Sequence, residues 1–185
     1  MGIYMTKDIH ETSQLGLIHV ISGTGKGKTT SALGLALRAA GHNFQTLIIQ
    51  FMKKGWDYGE LKAIDLIPQI TIIQYGTPEF VDKKNPLKID FDEAKAALDR
   101  TKNAMFEESW DILVLDEINV AIDFRLVSED EVIELLKRKP KKLEIILTGR
   151  YATDKIISLA DYYNEVCEKK HPYQQNILAR KGVEF

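Results

Sequence analysis

Cysteine is almost absent: Cys167 stands alone among 185 residues. An intrachain disulfide and a cysteine-built structural zinc site are both excluded, and a reducing cytoplasm is the expected setting. No apolar run approaches the ~20 residues needed to span a bilayer. The opening MGIYMTKDIHE lacks the apolar stretch of a signal peptide, so neither membrane insertion nor export is expected. Charge of one sign is not in excess either, because 25 Lys and Arg against 27 Asp and Glu leave a formal net charge of -2. That balance speaks against a polybasic nucleic-acid binder. The basic run at residues 137–142 ends a helix-patterned stretch, where cations suit the dipole and Pro140 stops the turn. A solvated helix end is its first reading, and a docking patch for an acidic flavoprotein reductant is its second.

What is present is an α/β pattern. Residues 1–15 are polar and without apolar period, which reads as a flexible arm, and residues 16–185 read as a single domain able to bury its own core. Short runs rich in Ile, Val and Leu at 17–21, 46–50, 70–74, 112–115 and 143–147 predict buried parallel strands. Between them, helical spacing predicts helices at 29–40, 59–64, 91–108, 128–138 and 153–159. Ser128 with Glu131 forms a capping-box signature, and Asp90 is positioned to cap the helix after it. Such alternation predicts a three-layer α/β domain with a mainly parallel sheet and ligands at the carboxyl ends of its strands. Residues 75–89 lack a confident element and hold Pro78 and Pro86, which makes them a candidate active-site loop.

The first strand runs into Ser22-Gly23-Thr24-Gly25-Lys26-Gly27-Lys28-Thr29-Thr30, and a helix follows at once. Three glycines let backbone N–H groups turn inward, the helix N-terminus adds partial positive charge, and Lys28 reaches the outer phosphates. Thr29 would present its hydroxyl to Mg²⁺. The loop is a variant of the P-loop, because Ser22 stands where the usual spacing has glycine. A second strand, Ile112-Leu113-Val114-Leu115, ends in Asp116-Glu117. Carboxylates there can hold Mg²⁺ directly or through water, while Asp116 as a helix N-cap is the competing reading. Together these features imply a Mg²⁺–nucleoside triphosphate without saying which bond breaks.

Further segments carry a family resemblance. The variant loop 23–30, the run Gln50-Phe51-Met52-Lys53 through Glu60, Val114-Leu115-Asp116-Glu117, Leu147-Thr148-Gly149-Arg150 and the tail from Lys170-His171-Pro172 to Phe185 occur in order. In these the chain resembles the ATP:corrinoid adenosyltransferases of the cobalamin-pathway type. The resemblance implies a recombination-ATPase-like P-loop fold. It also implies transfer of the 5′-deoxyadenosyl group of ATP to Co(I) of a corrinoid, with release of triphosphate, in adenosylcobalamin synthesis or salvage. Mg²⁺ or Mn²⁺ would assist, a flavoprotein would supply electrons, and the enzyme would be a homodimer. Lys28 and Glu117 would take the catalytic roles. The loop from Gly23 through Thr24, Gly25, Lys26, Gly27, Lys28 and Thr29 to Thr30 would bind ATP together with Arg150, and Thr29, Asp116 and Glu117 would hold the metal. For the corrinoid, Trp56, Tyr75, Phe80 and His171 are the candidates; the family's Phe-x-Trp pattern after the third strand is not kept in Tyr75-Gly76-Thr77-Pro78-Glu79-Phe80. Trp56 is equally readable as a core or rim tryptophan, Arg150 as a surface residue, and His171 has a positional rather than an acid-base role. A small P-loop kinase and a nucleotide-switched ATPase module are the competing functions.

Overall fold

All five apolar runs form strands in the structure, a computed structural model that describes residues 15–55 and 57–185. They are β1 (Ile18–Ser22), β2 (Thr46–Gln50), β3 (Ile70–Gln74), β4 (Ile112–Asp116) and β5 (Glu144–Thr148). A sixth, β6 (Tyr162–Glu165), joins the edge beyond β1. The sheet runs β3-β2-β4-β5-β1-β6, and every pairing is parallel. The central strands β2, β4 and β5 are buried at every position, which is why they read as unbroken apolar runs rather than alternating ones. The arm expected over residues 1–15 falls, but for Leu15, outside the described residues, as does Trp56.

Helices cover both faces and complete the three layers. The helix α1 (Lys28–Ala40) packs Ala32, Ala36, Ala39 and Ala40 against Ile48, Val114 and Ile146, with α2 (Gly59–Ile64) adding Ile64 on the same side. Their spacing of four, three and one residues keeps these alanines on one stripe of the helix. Leu47, Leu113, Ile145 and Leu147 point to the other face, where they meet α3 (Lys88–Glu107), α4 (Ile118–Asp123), α5 (Glu129–Arg138) and α6 (Asp154–Ile157). Alternate side chains of each strand thus feed two separate cores.

Two expected caps are built differently. The helix α3 starts at Lys88, so Asp90 lies inside its first turn and accepts a hydrogen bond from the Leu87 N–H at 2.8 Å instead of preceding the helix. Ser128 does occupy the N-cap of α5, yet its side chain makes no capping bond; Glu129, Asp130 and Glu131 in the first turn answer the helix dipole instead.

The unexpected strand β6 has a consequence for the glycine loop. Just past it, the Val166 carbonyl accepts from the Gly25 N–H at 2.6 Å, and the Glu168 N–H donates to Thr24 Oγ1 at 3.3 Å. A Cβ on Gly23, whose φ is 99°, would lie 2.5 Å from the Val166 carbonyl oxygen. Glycine is therefore required at Gly23 by both conformation and crowding. His19 is a satisfied core-edge residue, bonded at 2.5 Å to Glu144 and stacked on Tyr162.

Candidate active site

The carboxyl ends of β1, β2 and β4 open into a cavity of about 590 Å³. Its floor is the loop from Thr24 to Thr30, and Lys53, Tyr58, Glu117, Arg150 and His171 stand around it, with Gly182 to Phe185 of the tail at its rim. Lys28 is buried, and its ammonium donates to the Gly25 carbonyl at 2.7 Å, so it lies folded over the loop. Burial, with Arg150 and Lys53 nearby, holds the Lys28 ammonium below the ordinary lysine range, with Glu117 and Asp116 opposing.

At the centre is Asp116, the last residue of β4 and wholly buried. Its Oδ1 accepts from Thr29 Oγ1 at 2.8 Å and Thr148 Oγ1 at 2.6 Å, and its Oδ2 accepts from Gln50 Nε2 at 3.0 Å and Lys53 Nζ at 2.8 Å. Burial works against this carboxylate's charge, but Lys53 and the hydroxyl donors outweigh it and hold the group below the usual range. Lys53 mirrors it: burial opposes the ammonium, while Asp116 and Glu117 keep it above the ordinary value. The same ammonium donates to Thr29 Oγ1 at 3.0 Å.

Glu117 follows in the left-handed region, with φ at 65°, and its N–H is held by Thr148 Oγ1 at 3.0 Å. A non-glycine residue in this region at a strand end is the kind of local strain that sites retain. It turns the Glu117 side chain to the cavity, where its carboxylate lies 4.0 Å from Lys53. Burial and neighbouring Asp116 push its carboxyl above the usual range, against the pull of Lys53, Lys28 and Arg150.

This arrangement is matched by what the chain is similar to. Residues 14–185 match the family model described as ATP:corrinoid adenosyltransferase BtuR/CobO/CobP. The chain belongs to the ATP:corrinoid adenosyltransferase family. A corrinoid adenosyltransferase of Sinorhizobium is 33% identical, covering 95% of this chain and 83% of that protein. The corrinoid adenosyltransferase of Salmonella typhimurium is 31% identical over 92% of this chain and 86% of its own length. An uncharacterized protein of Nostoc is 35% identical over 97% of this chain, which spans about half (51%) of that longer protein. Among the described residues, no helix is long and apolar enough to cross a membrane.

Within this family framework, the residues expected at the nucleotide gather in one place, and of the described residues expected at the corrinoid, His171 joins them while Tyr75 and Phe80 do not. Thr24 to Thr30, Glu117, Arg150 and His171 all line the cavity. Gly23 and Asp116 lie beneath it as supports. Tyr75 packs partly buried against the lower core, and Phe80 is 88% exposed on the long loop. Burial raises the Tyr75 phenol above its ordinary value, so it stays neutral. Among the ties that hold that loop, Glu93 accepts from the Gly76 N–H at 3.0 Å, and Lys83 bonds Asp123 at 2.6 Å with its ammonium 5.5 Å from the rings of Phe124 and Tyr151. Three residues went unremarked as site groups in the sequence: Lys53, Gln50 and Thr148. The last two close strands beside Asp116, and only the strand order β2-β4-β5 reveals that they share one carboxylate.

Proposed function

We propose that the protein transfers the 5′-deoxyadenosyl group of ATP to the Co(I) centre of a corrinoid and releases inorganic triphosphate, in adenosylcobalamin synthesis or salvage. The observation that carries this reading is the family match over residues 14–185 together with a polyanion-sized cavity over a glycine loop and Lys28. In the step, the cobalt electron pair forms a bond to the ribose C5′, the C5′–oxygen bond breaks, and its electrons leave with the triphosphate. No side chain need act as nucleophile. The protein's task is to align C5′ with cobalt and to stabilise charge on the leaving group.

The loop amides other than Gly25, whose N–H is held by the Val166 carbonyl, grip the triphosphate together with the Lys28 ammonium and Arg150, which also lines the cavity. Thr29, Asp116 and Glu117 are the groups that would hold Mg²⁺ or Mn²⁺. The site fits a cation, because an ammonium already lies 3.0 Å from Thr29 Oγ1 and 2.8 Å from Asp116 Oδ2. Asp116 Oδ1 also accepts from Thr29 Oγ1 and so orients it. When bound, the divalent ion supplies charge neutralisation for the triphosphate. His171 at the cavity wall positions substrate, while Tyr75, Phe80 and Trp56 are assigned to the corrinoid. A homodimer in the cytoplasm, fed by a flavoprotein reductant, completes the reading.

Anaerobic incubation with MgATP and a chemically reduced corrinoid tests it. A light-sensitive alkylcobalt product with triphosphate is expected. Formation of ADP with a phosphorylated acceptor, as from a kinase, or of ADP with phosphate, as from an ATPase module, would refute it.

The exposed ring of Phe80 gives a narrower test. A large aromatic on a loop past β3 is suited to cover a corrinoid face and keep water from it. Phe80→Ala is expected to slow the route that starts from Co(II) and a flavin reductant more than the route that starts from chemically supplied Co(I). Equal losses on both routes would remove Phe80 from that role.

A further inference from the structure

Lys53 is held where a metal is wanted. Its ammonium bridges Thr29 Oγ1 at 3.0 Å and Asp116 Oδ2 at 2.8 Å, has Glu117 at 4.0 Å, and its side chain is 14% exposed. These are the same oxygen groups that would hold a divalent ion beside the triphosphate. Lys28, on the cavity floor, is turned away to the Gly25 carbonyl. Lys53 itself is fixed at its root, because its backbone N–H donates to the Tyr75 carbonyl at 2.9 Å. Its long stem leaves the head free to move.

Formal charge explains what this arrangement does. Asp116 and Glu117 already face three cations, Lys28, Lys53 and Arg150, so the cluster needs no further cation. A divalent ion arriving alone would meet an ammonium already on its oxygens, and like charges a few ångströms apart repel strongly even at an effective dielectric of ~20. A nucleotide polyphosphate changes the balance, since it offers the displaced ammonium new anionic partners. A second resting place is also at hand: the Tyr58 ring, whose centroid is 5.7 Å from the Lys53 nitrogen.

We infer that Lys53 is a resident counter-ion that occupies the divalent-cation seat on Thr29 and Asp116 and yields it only when metal and nucleotide arrive together. The inference rests on the nucleotide reading above for its second half, the yielding to metal with ATP. Its first half, exclusion of metal by Lys53, concerns the empty protein alone. Lys53 is on this view a positioning residue that makes metal uptake conditional on substrate.

The test is titration of nucleotide-free protein with Mn²⁺, followed by the electron paramagnetic resonance signal of the free ion. Wild-type protein is expected to bind Mn²⁺ weakly, and Lys53→Met to bind it at least roughly tenfold more tightly, a modest fraction of the repulsion removed. Mn²⁺ should also raise the unfolding temperature of Lys53→Met without ATP while leaving the wild type unchanged. If Lys53→Met does not fold, Lys53→Gln decides, because its amide keeps a donor for Asp116 without the charge. Affinity equal to or weaker than that of the wild type in the folded variant overturns the inference. A parallel titration of the wild type with a non-reactive ATP analogue should show Mn²⁺ uptake. Absence of uptake there, with tight binding in the variants, would overturn the nucleotide reading and leave metal exclusion by Lys53 standing.

Discussion

Lys28→Ala is expected to lower adenosyl transfer by about two to three orders of magnitude, the usual loss when one preorganised donor to a developing anion is removed. The fold should survive. The Lys28 ammonium makes one hydrogen bond, to the Gly25 carbonyl at 2.7 Å, and burial already disfavours its charge. Deleting it removes a desolvated cation that Arg150 and Lys53 also repel, so the unfolding midpoint should stay near that of the wild type or rise slightly. Glu117→Ala should act in the same direction on turnover, and its left-handed backbone, with φ at 65°, costs alanine about what it costs glutamate, so strain is not the source of the effect. The readouts are the rate of alkylcobalt formation under anaerobic conditions and the urea midpoint. Wild-type turnover in Lys28→Ala would remove that residue from triphosphate stabilisation.

The parts of the structure that could be read in advance are those in which local pattern and tertiary environment agree. The bounds of β2, α2 and β3 coincide with the apolar runs and helical spacing, and β2, buried at every position, writes its burial directly into composition. The strand β6 could not be found that way. Its sequence, Tyr-Tyr-Asn-Glu, is exposed at every position, and it pairs only with β1 at the edge of the sheet. Its value is positional: it delivers Val166 to the back of the glycine loop. Likewise α4 is a helix of six residues starting just after Glu117, too short to display a period.

The site divides along the same line. The glycine loop with Lys28 and Thr29 is contiguous in sequence, so its spacing carries its chemistry. The Asp116 cluster joins Thr29, Gln50 with Lys53, and Thr148 from three segments separated from it in sequence. It exists because β2 and β5 flank β4 and place their last residues beside its end. From Gln50 the chain of bonds continues outward, since Gln74 Nε2 donates to Gln50 Oε1 at 2.8 Å. The ends of four adjacent strands are thereby tied together by side chains as well as by the ladder, next to the point where the loop bearing Phe80 begins.

Asp116→Ala should be the most destabilising single change in this cluster. Four donors converge on one buried carboxylate, and truncation leaves Thr29, Thr148, Gln50 and Lys53 without their shared acceptor. Breaking a buried ion pair by removing one partner costs about 3–5 kcal/mol, because the surviving charge is left uncompensated. Lys53 has a partial refuge in Glu117 at 4.0 Å, which favours the lower end of that range. Asp116→Asn should be milder at Oδ1, where an amide oxygen can still accept from both threonines, but unfavourable at Oδ2, where an NH₂ group would face the donors of Gln50 and Lys53. The pair can be separated from the rest by a double-mutant cycle. Asp116→Ala combined with Lys53→Met should destabilise by less than the sum of the single changes, since the second mutation deletes the charge that the first one strands. Urea denaturation of the four proteins measures this. Strict additivity, or an Asp116→Ala variant as stable as the wild type, would mean that the buried carboxylate is not what holds these strand ends together.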